Sequence, residues 1–195
     1  RVFTDYVSRV QAILQNGTAR NDVAVLTRPF DHSAESVAHT SLADASNGTE
    51  TDLSAYSKLL DKGYTYDVYT EGTLNMDACA AVDGVLVPDG SSARAIIVDN
   101  MERVEYDTAA KLLELAQNGL PVIFAGAAPS RSFGSDMYNA NAGHDEAAFQ
   151  AVIDELLAMS NVVQAADMDA VFAALDSFGI APSAAYDAVN VRTQL

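Results

Sequence analysis

The chain has 195 residues, of which 49% are hydrophobic, and carries 27 acids against 11 bases for a net charge of −16. That length can bury a sizeable core. The charge argues against nucleic acid or an anionic membrane as partner, because phosphate binding needs clustered Lys and Arg. With one cysteine, Cys79, neither an internal disulfide nor a cysteine-based zinc cluster can form.

The first segment, TDYVSRVQAILQNG, sets Tyr6, Val7, Val10, Ile13 and Leu14 at helical spacing, with Thr4 or Asp5 to cap it and Gly17 to end it. Asp22–Leu26 (DVAVL) is an apolar run of strand length. A polar stretch, Thr27–Thr51, follows with little periodicity, and long loops of this kind are usually functional or mobile. DLSAYSKLLDKG predicts a second helix, with Leu53, Tyr56, Leu59 and Leu60 on one face and Gly63 as its stop. YDVYT then predicts a strand with Tyr66, Val68 and Thr70 on one face and Asp67 and Tyr69 on the other.

DGVLVPDG reads as a short strand or hairpin, and ARAIIVDN (Ala93–Asn100) as a buried strand. TAAKLLELAQNG is a helix closed by Asn-Gly, and PVIFAG is the strand directly after it. The Gly/Ser-rich run Ala127–Gly143 is a second long loop. Helix AAFQAVIDELLAMS, strand VVQA and helix DMDAVFAALDSFG complete the pattern. Short buried strands alternating with amphipathic helices predict a mainly parallel sheet covered on both faces. The expected fold is a doubly wound, flavodoxin-like three-layer α/β sandwich over residues 1–180, with 181–195 as an extended tail.

A doubly wound sheet binds ligands outside the carboxyl ends of its strands. Those ends carry Thr27, Arg28, Glu71, Asp99, Asn100 and Gly126, and they form the expected crevice. The sequence has no GxGxxG after a strand, no GxxxxGK[ST] and no GxSxG, so dinucleotide, P-loop and nucleophile-elbow chemistry have no signature. Cys79 lies among small apolar neighbours (DACAAVDG) and reads as a buried, inert thiol. Asp31, His32 and His39 share the first long loop, but their spacing fixes no metal geometry, and solvated histidines explain them. His144-Asp145-Glu146 precedes a helix, where acids complement its dipole. Glu71 and Asp99, at neighbouring strand ends, are the carboxylates best placed for acid–base work on a glycosidic bond. Among 27 acids such a coincidence is expected by chance. No cofactor and no metal is expected.

The order of segments resembles a known family. YVSRVQAILQNGTARNDVAVL, GYTYDVYTEGTL, ARAIIVDN, AAKLLELAQNGLPVIFAG and the terminal FGIAPSAAY…VNVR are similar to the domain that follows the catalytic barrel in glycoside hydrolase family 106, the α-L-rhamnosidase-like enzymes. The resemblance implies a flavodoxin-like, glutamine-amidotransferase-like domain of a secreted sugar-cleaving parent. A similar domain accompanies the barrel in some β-galactosidases. The family's catalytic glutamates and metal site belong to the barrel, so none is carried onto a residue here.

Two Asn-Gly-Thr sequons, at Asn16 and Asn47, together with the acidity and scarcity of cysteine, point to an extracellular, glycosylated protein. The chain opens at Arg1 without methionine and ends in a strand-like NVRTQL, and is read as a piece of a longer polypeptide. The expected role is a non-catalytic accessory domain, structural or oligomerising, whose partners are other domains of the parent or further copies of itself. The alternative is an independent ligand-binding or hydrolytic protein using the strand-end crevice. An accessory domain should expose an apolar patch where partners belong. An independent binder should show a closed pocket with polar groups converging near Thr27, Asp99 and Gly126.

Overall fold

The computed structural model describes residues 2–17, 20–27, 54–87, 89–132 and 146–185. Arg28, the His32/His39 loop, the Asn47 sequon, His144 and the last ten residues lie outside that set.

Helix α1 (Val2–Leu14) precedes strand β1 (Val23–Leu26), helix α2 (Ser54–Asp61) and strand β2 (Tyr66–Tyr69). A one-turn helix α3 (Glu71–Leu74) leads to the hairpin β3 (Ala81–Val82) and β4 (Val85–Leu86), then β5 (Ile96–Val98) and β6 (Arg103–Val104). Helix α4 (Tyr106–Gln117), β7 (Val122–Ala125), β8 (Arg131–Ser132), α5 (Glu146–Leu157), β9 (Val162–Ala165) and α6 (Met168–Ser177) follow.

Five strands form the main sheet in the order β2-β1-β5-β7-β9, and every neighbouring pair is parallel. Numbered among themselves they run 2-1-3-4-5, the flavodoxin-like order. The chain moves outward from β1 to the edge strand β2, then returns to the other side of β1, so the switch point lies between β1 and β5.

The expected strands form because their side chains divide cleanly between two apolar layers. Ala24, Leu26, Ile96, Val98, Val122 and Phe124 face one layer, with α4, α5 and the hairpin. Val23, Val25, Ile97 and Ile123 face the other, with α2 and α6. Period-two alternation explains this, and burial on both faces explains the absence of polar residues from VAVL and IIV.

In edge strand β2 the faces alternate as expected, Tyr69 packing into the first layer and Tyr66 against the second. Tyr69 is buried, Tyr66 and Asp67 are half-buried, and Val68 is exposed. The edge strand has a neighbour on one side only, and Thr70 is not part of it. Thr70 instead caps α3, its hydroxyl accepting from the Thr73 amide at 3.3 Å.

Helix α2 stops as the sequence predicts. The Gly63 amide donates to Leu60 and the Tyr64 amide to Leu59, with Gly63 at φ 87, which is a Schellman closure. The same position serves a second purpose. The Ala184 amide donates to the Gly63 carbonyl at 3.0 Å, and a Cβ at Gly63 would lie 1.8 Å from the Ala184 carbonyl oxygen. Hairpin β3–β4 turns through Asp83 and Gly84, both at positive φ, as a two-residue Asp-Gly turn requires.

The segment 180–184 is bound into the domain at the amino ends of the strands. Asp22, 2% exposed, accepts from the Thr65 amide (3.0 Å), the Ser183 amide (3.0 Å) and the Ser183 hydroxyl (2.6 Å). Arg94 Nη2 bridges Asp22 and the Ala181 carbonyl, each at 2.6 Å, and the Tyr64 hydroxyl donates to the Ile180 carbonyl at 3.0 Å. Burial by itself would raise the Asp22 carboxyl, but the Ser183, Thr65 and Arg94 donors outweigh it and hold its pKa below the ordinary 3.8.

Candidate functional site

The carboxyl ends of β1 and β5 flank the switch point, where a fold of this order places its ligands. Thr27 closes β1, Asp99 and Asn100 follow β5, and Gly126 follows β7. Five of the expected crevice residues, Glu71 after edge strand β2 among them, are therefore gathered at one pole of the sheet. Arg28 is outside the described residues.

The groups at this pole are largely engaged with one another. The Thr27 hydroxyl, in a residue 4% exposed, donates to the Tyr69 carbonyl at 3.2 Å. Asp99 Oδ1 accepts from the Tyr56 hydroxyl at 2.7 Å and from the Asn100 amide at 2.9 Å. Tyr56 comes from the first turn of α2, so helix α2 and strand β5 are joined across the switch point. Gly126, at φ 122, packs against Asn100, and a Cβ there would lie 2.6 Å from Asn100 Oδ1. Only glycine allows that approach.

A feature the sequence did not announce narrows this pole further. The loops after β5 and β7 are zipped together by a parallel ribbon, Arg103–Val104 against Arg131–Ser132. The Ser130 and Arg131 amides both donate to the Glu102 carbonyl. Two-residue strands in polar loops carry no periodicity, so nothing in the sequence marks them.

Glu71 is the first residue of α3, and it is 1% exposed. Its Oε2 accepts from the Glu105 amide at 2.9 Å and from the Thr108 hydroxyl at 2.8 Å. Those donors lie in the cap and first turn of α4, so the carboxylate satisfies helix-terminal groups that otherwise lack partners. Glu105, the α4 cap residue, makes no side-chain capping bond itself. In this arrangement Glu71 is a buried cap supplied by a neighbouring element.

Cys79 is 4% exposed, and burial pushes its thiol upward, the reverse of what a nucleophile needs. Among the described residues no group of three or more His, Cys, Asp or Glu is placed to hold a metal, and no helix is long and apolar enough to cross a membrane. Asn16 is exposed just beyond α1, and its amide donates back to the Ala12 carbonyl.

Helix α1 presents the largest departure from a self-contained domain. Phe3 (78%), Tyr6 (61%), Ile13 (74%) and Leu14 (72%) are exposed. At 100° per residue these four and the half-buried Val7 and Val10 share one stripe. None of the described α1 side chains belongs to either core layer.

No family model and no curated protein matches the chain. Among solved structures, a rhamnosidase from Novosphingobium sp. PP1Y matches at 20% identity and TM-score 0.63, over 97% of this chain and 17% of that one. A GH42 beta-galactosidase from G. stearothermophilus matches 59% of this chain and 15% of that one at 18% identity and TM-score 0.39. The likeness to the rhamnosidase shows a shared fold, in a chain of which this one spans about a sixth.

Proposed function

We propose that this chain is a non-catalytic accessory domain of a larger secreted α-L-rhamnosidase-like glycoside hydrolase of family 106. In this reading the apolar face of α1 packs against another domain of the same polypeptide. The observation that carries it is the α1 stripe, where four large apolar side chains are between 61% and 78% exposed. Contiguous apolar surface of this kind marks an interaction site. A thirteen-residue helix is also marginal by itself in water and draws stability from packing of that face.

The polar groups at the strand ends favour the same reading. Thr27 and Asp99 are held by neighbours, and Glu71 is buried in a helix cap, so the expected acid–base pair is taken up by structural bonds. The rhamnosidase likeness adds a precedent for this fold within a much longer chain.

The purified chain is expected to give no turnover of an aryl α-L-rhamnoside. Turnover that disappears in Asp99→Asn or Glu71→Gln would overturn the reading. In the parent polypeptide, Tyr6→Glu with Ile13→Glu is expected to loosen the domain, seen as new protease cleavage between domains. The same pair should leave the melting temperature of the isolated chain unchanged, because neither side chain enters its core. Secretion is checked by mass, with glycan expected on Asn16 and Asn47 of exported material.

A further inference from the structure

The opposite pole of the sheet holds an open pocket of about 390 Å³, formed by Arg20, Asn21, Asp22, Ser92, Arg94 and the segment 181–183. Its size lies at the small end of ligand pockets, which run from about 300 to 1,000 Å³. Asp22 is fully occupied by donors from Thr65, Ser183 and Arg94. Arg94 makes both of its bonds through Nη2, leaving Nε–H and Nη1 without a partner among the described residues. The Arg20 guanidinium and the Asn21 side-chain amide likewise have no partner among those residues.

The loop that brings Ser92 to the pocket wall holds left-handed backbone. The loop from Val87 to Ser92 holds two non-glycine residues at positive φ, Val87 at 45° and Ser92 at 54°. For a β-branched residue this is a genuine outlier. Such strain persists only where surroundings enforce it, and it gathers at ligand clamps. Here the enforcing bonds are the Gly90 and Ser92 amides to the Val87 carbonyl and the Ser91 hydroxyl against the Tyr69 hydroxyl.

We propose that this pocket binds a small carboxylate anion, received by the Arg20 guanidinium, with a single remaining N–H of Arg94 and the Asn21 amide as further donors. Arg20 and Arg94 against Asp22 leave one net positive charge, which matches a monoanion. A phosphate dianion would call for more positive charge or a nest of backbone amides. A guanidinium edge matches the two oxygens of a carboxylate. The ligand class covers a free organic acid and an acidic sugar, and the site stands whether or not the accessory reading holds.

The test is an NMR titration of the ¹⁵N-labelled chain with sodium acetate and sodium glucuronate, against sodium chloride at matched ionic strength and neutral glucose. Saturable shifts at Arg20, Asn21, Ser92 and Arg94 are expected with the carboxylates and not with chloride or glucose. Tighter binding of glucuronate identifies an acidic sugar, and equal binding identifies the carboxylate itself. Arg20→Gln, at an exposed position, should weaken binding by about tenfold or more. Arg131→Gln, in the ribbon at the other pole, should not. Carboxylate shifts no different from chloride, equal response to glucose, or undiminished binding by Arg20→Gln would each overturn the proposal.

Discussion

Replacing Asp22 with alanine removes the acceptor on which three separate segments converge at the amino ends of the strands. The loss can be worked from exposure. Thr65 is 3% exposed, so its amide, 3.0 Å from the carboxylate, finds no water when the acceptor goes. An orphaned buried donor costs about 1–3 kcal/mol. The Arg94 side chain is 40% exposed and Ser183 is exposed, so both recover solvent. Their lost bonds to a buried carboxylate are then worth about 1 kcal/mol together. The expected total is about 2–4 kcal/mol, out of the roughly 5–15 kcal/mol that holds a domain folded. Urea denaturation should show the midpoint falling by about 1 M with an unchanged slope. Limited proteolysis should show new cleavage near residues 181–185. A midpoint within error of the unsubstituted chain would mean that the Thr65 amide is satisfied some other way.

The same carboxylate sets an acid limit. Its folded pKa lies below the ordinary 3.8, so its stabilisation is complete above that value and is lost as pH falls through the lower folded value. Asp22→Asn should flatten the acid limb of stability against pH, and an unchanged limb would assign it to other groups. Gly63→Ala places a Cβ against the Ala184 carbonyl and forces φ 87 on an L residue, so it should release the 181–184 segment and cost about 1–3 kcal/mol. Retained protection of the Ala184 amide in hydrogen exchange would contradict this. Glu71→Ala should destabilise by about 2–4 kcal/mol through the uncapped Glu105 amide and Thr108 hydroxyl. A stable Glu71→Ala chain would reopen a chemical role for the residue.

The layers are legible in local hydrophobic pattern. Runs such as VAVL and IIV read as buried strands because a parallel sheet covered on both faces excludes polar side chains, and the helix between β5 and β7 was visible from its leucine spacing. Gly63 as a helix stop was equally local, since left-handed φ is a property of one residue. The stripe of α1 was visible too, but not its exposure, which depends on what the rest of the fold covers. Chain folding alone brings Glu71 to cap α4, from 34 residues away in the chain, and clamps Ser183 to Asp22 across 161 residues. A hydrogen-bond partner brought close by the fold leaves no periodicity in sequence, whereas burial of a strand or a helix face repeats every two or 3.6 residues and does.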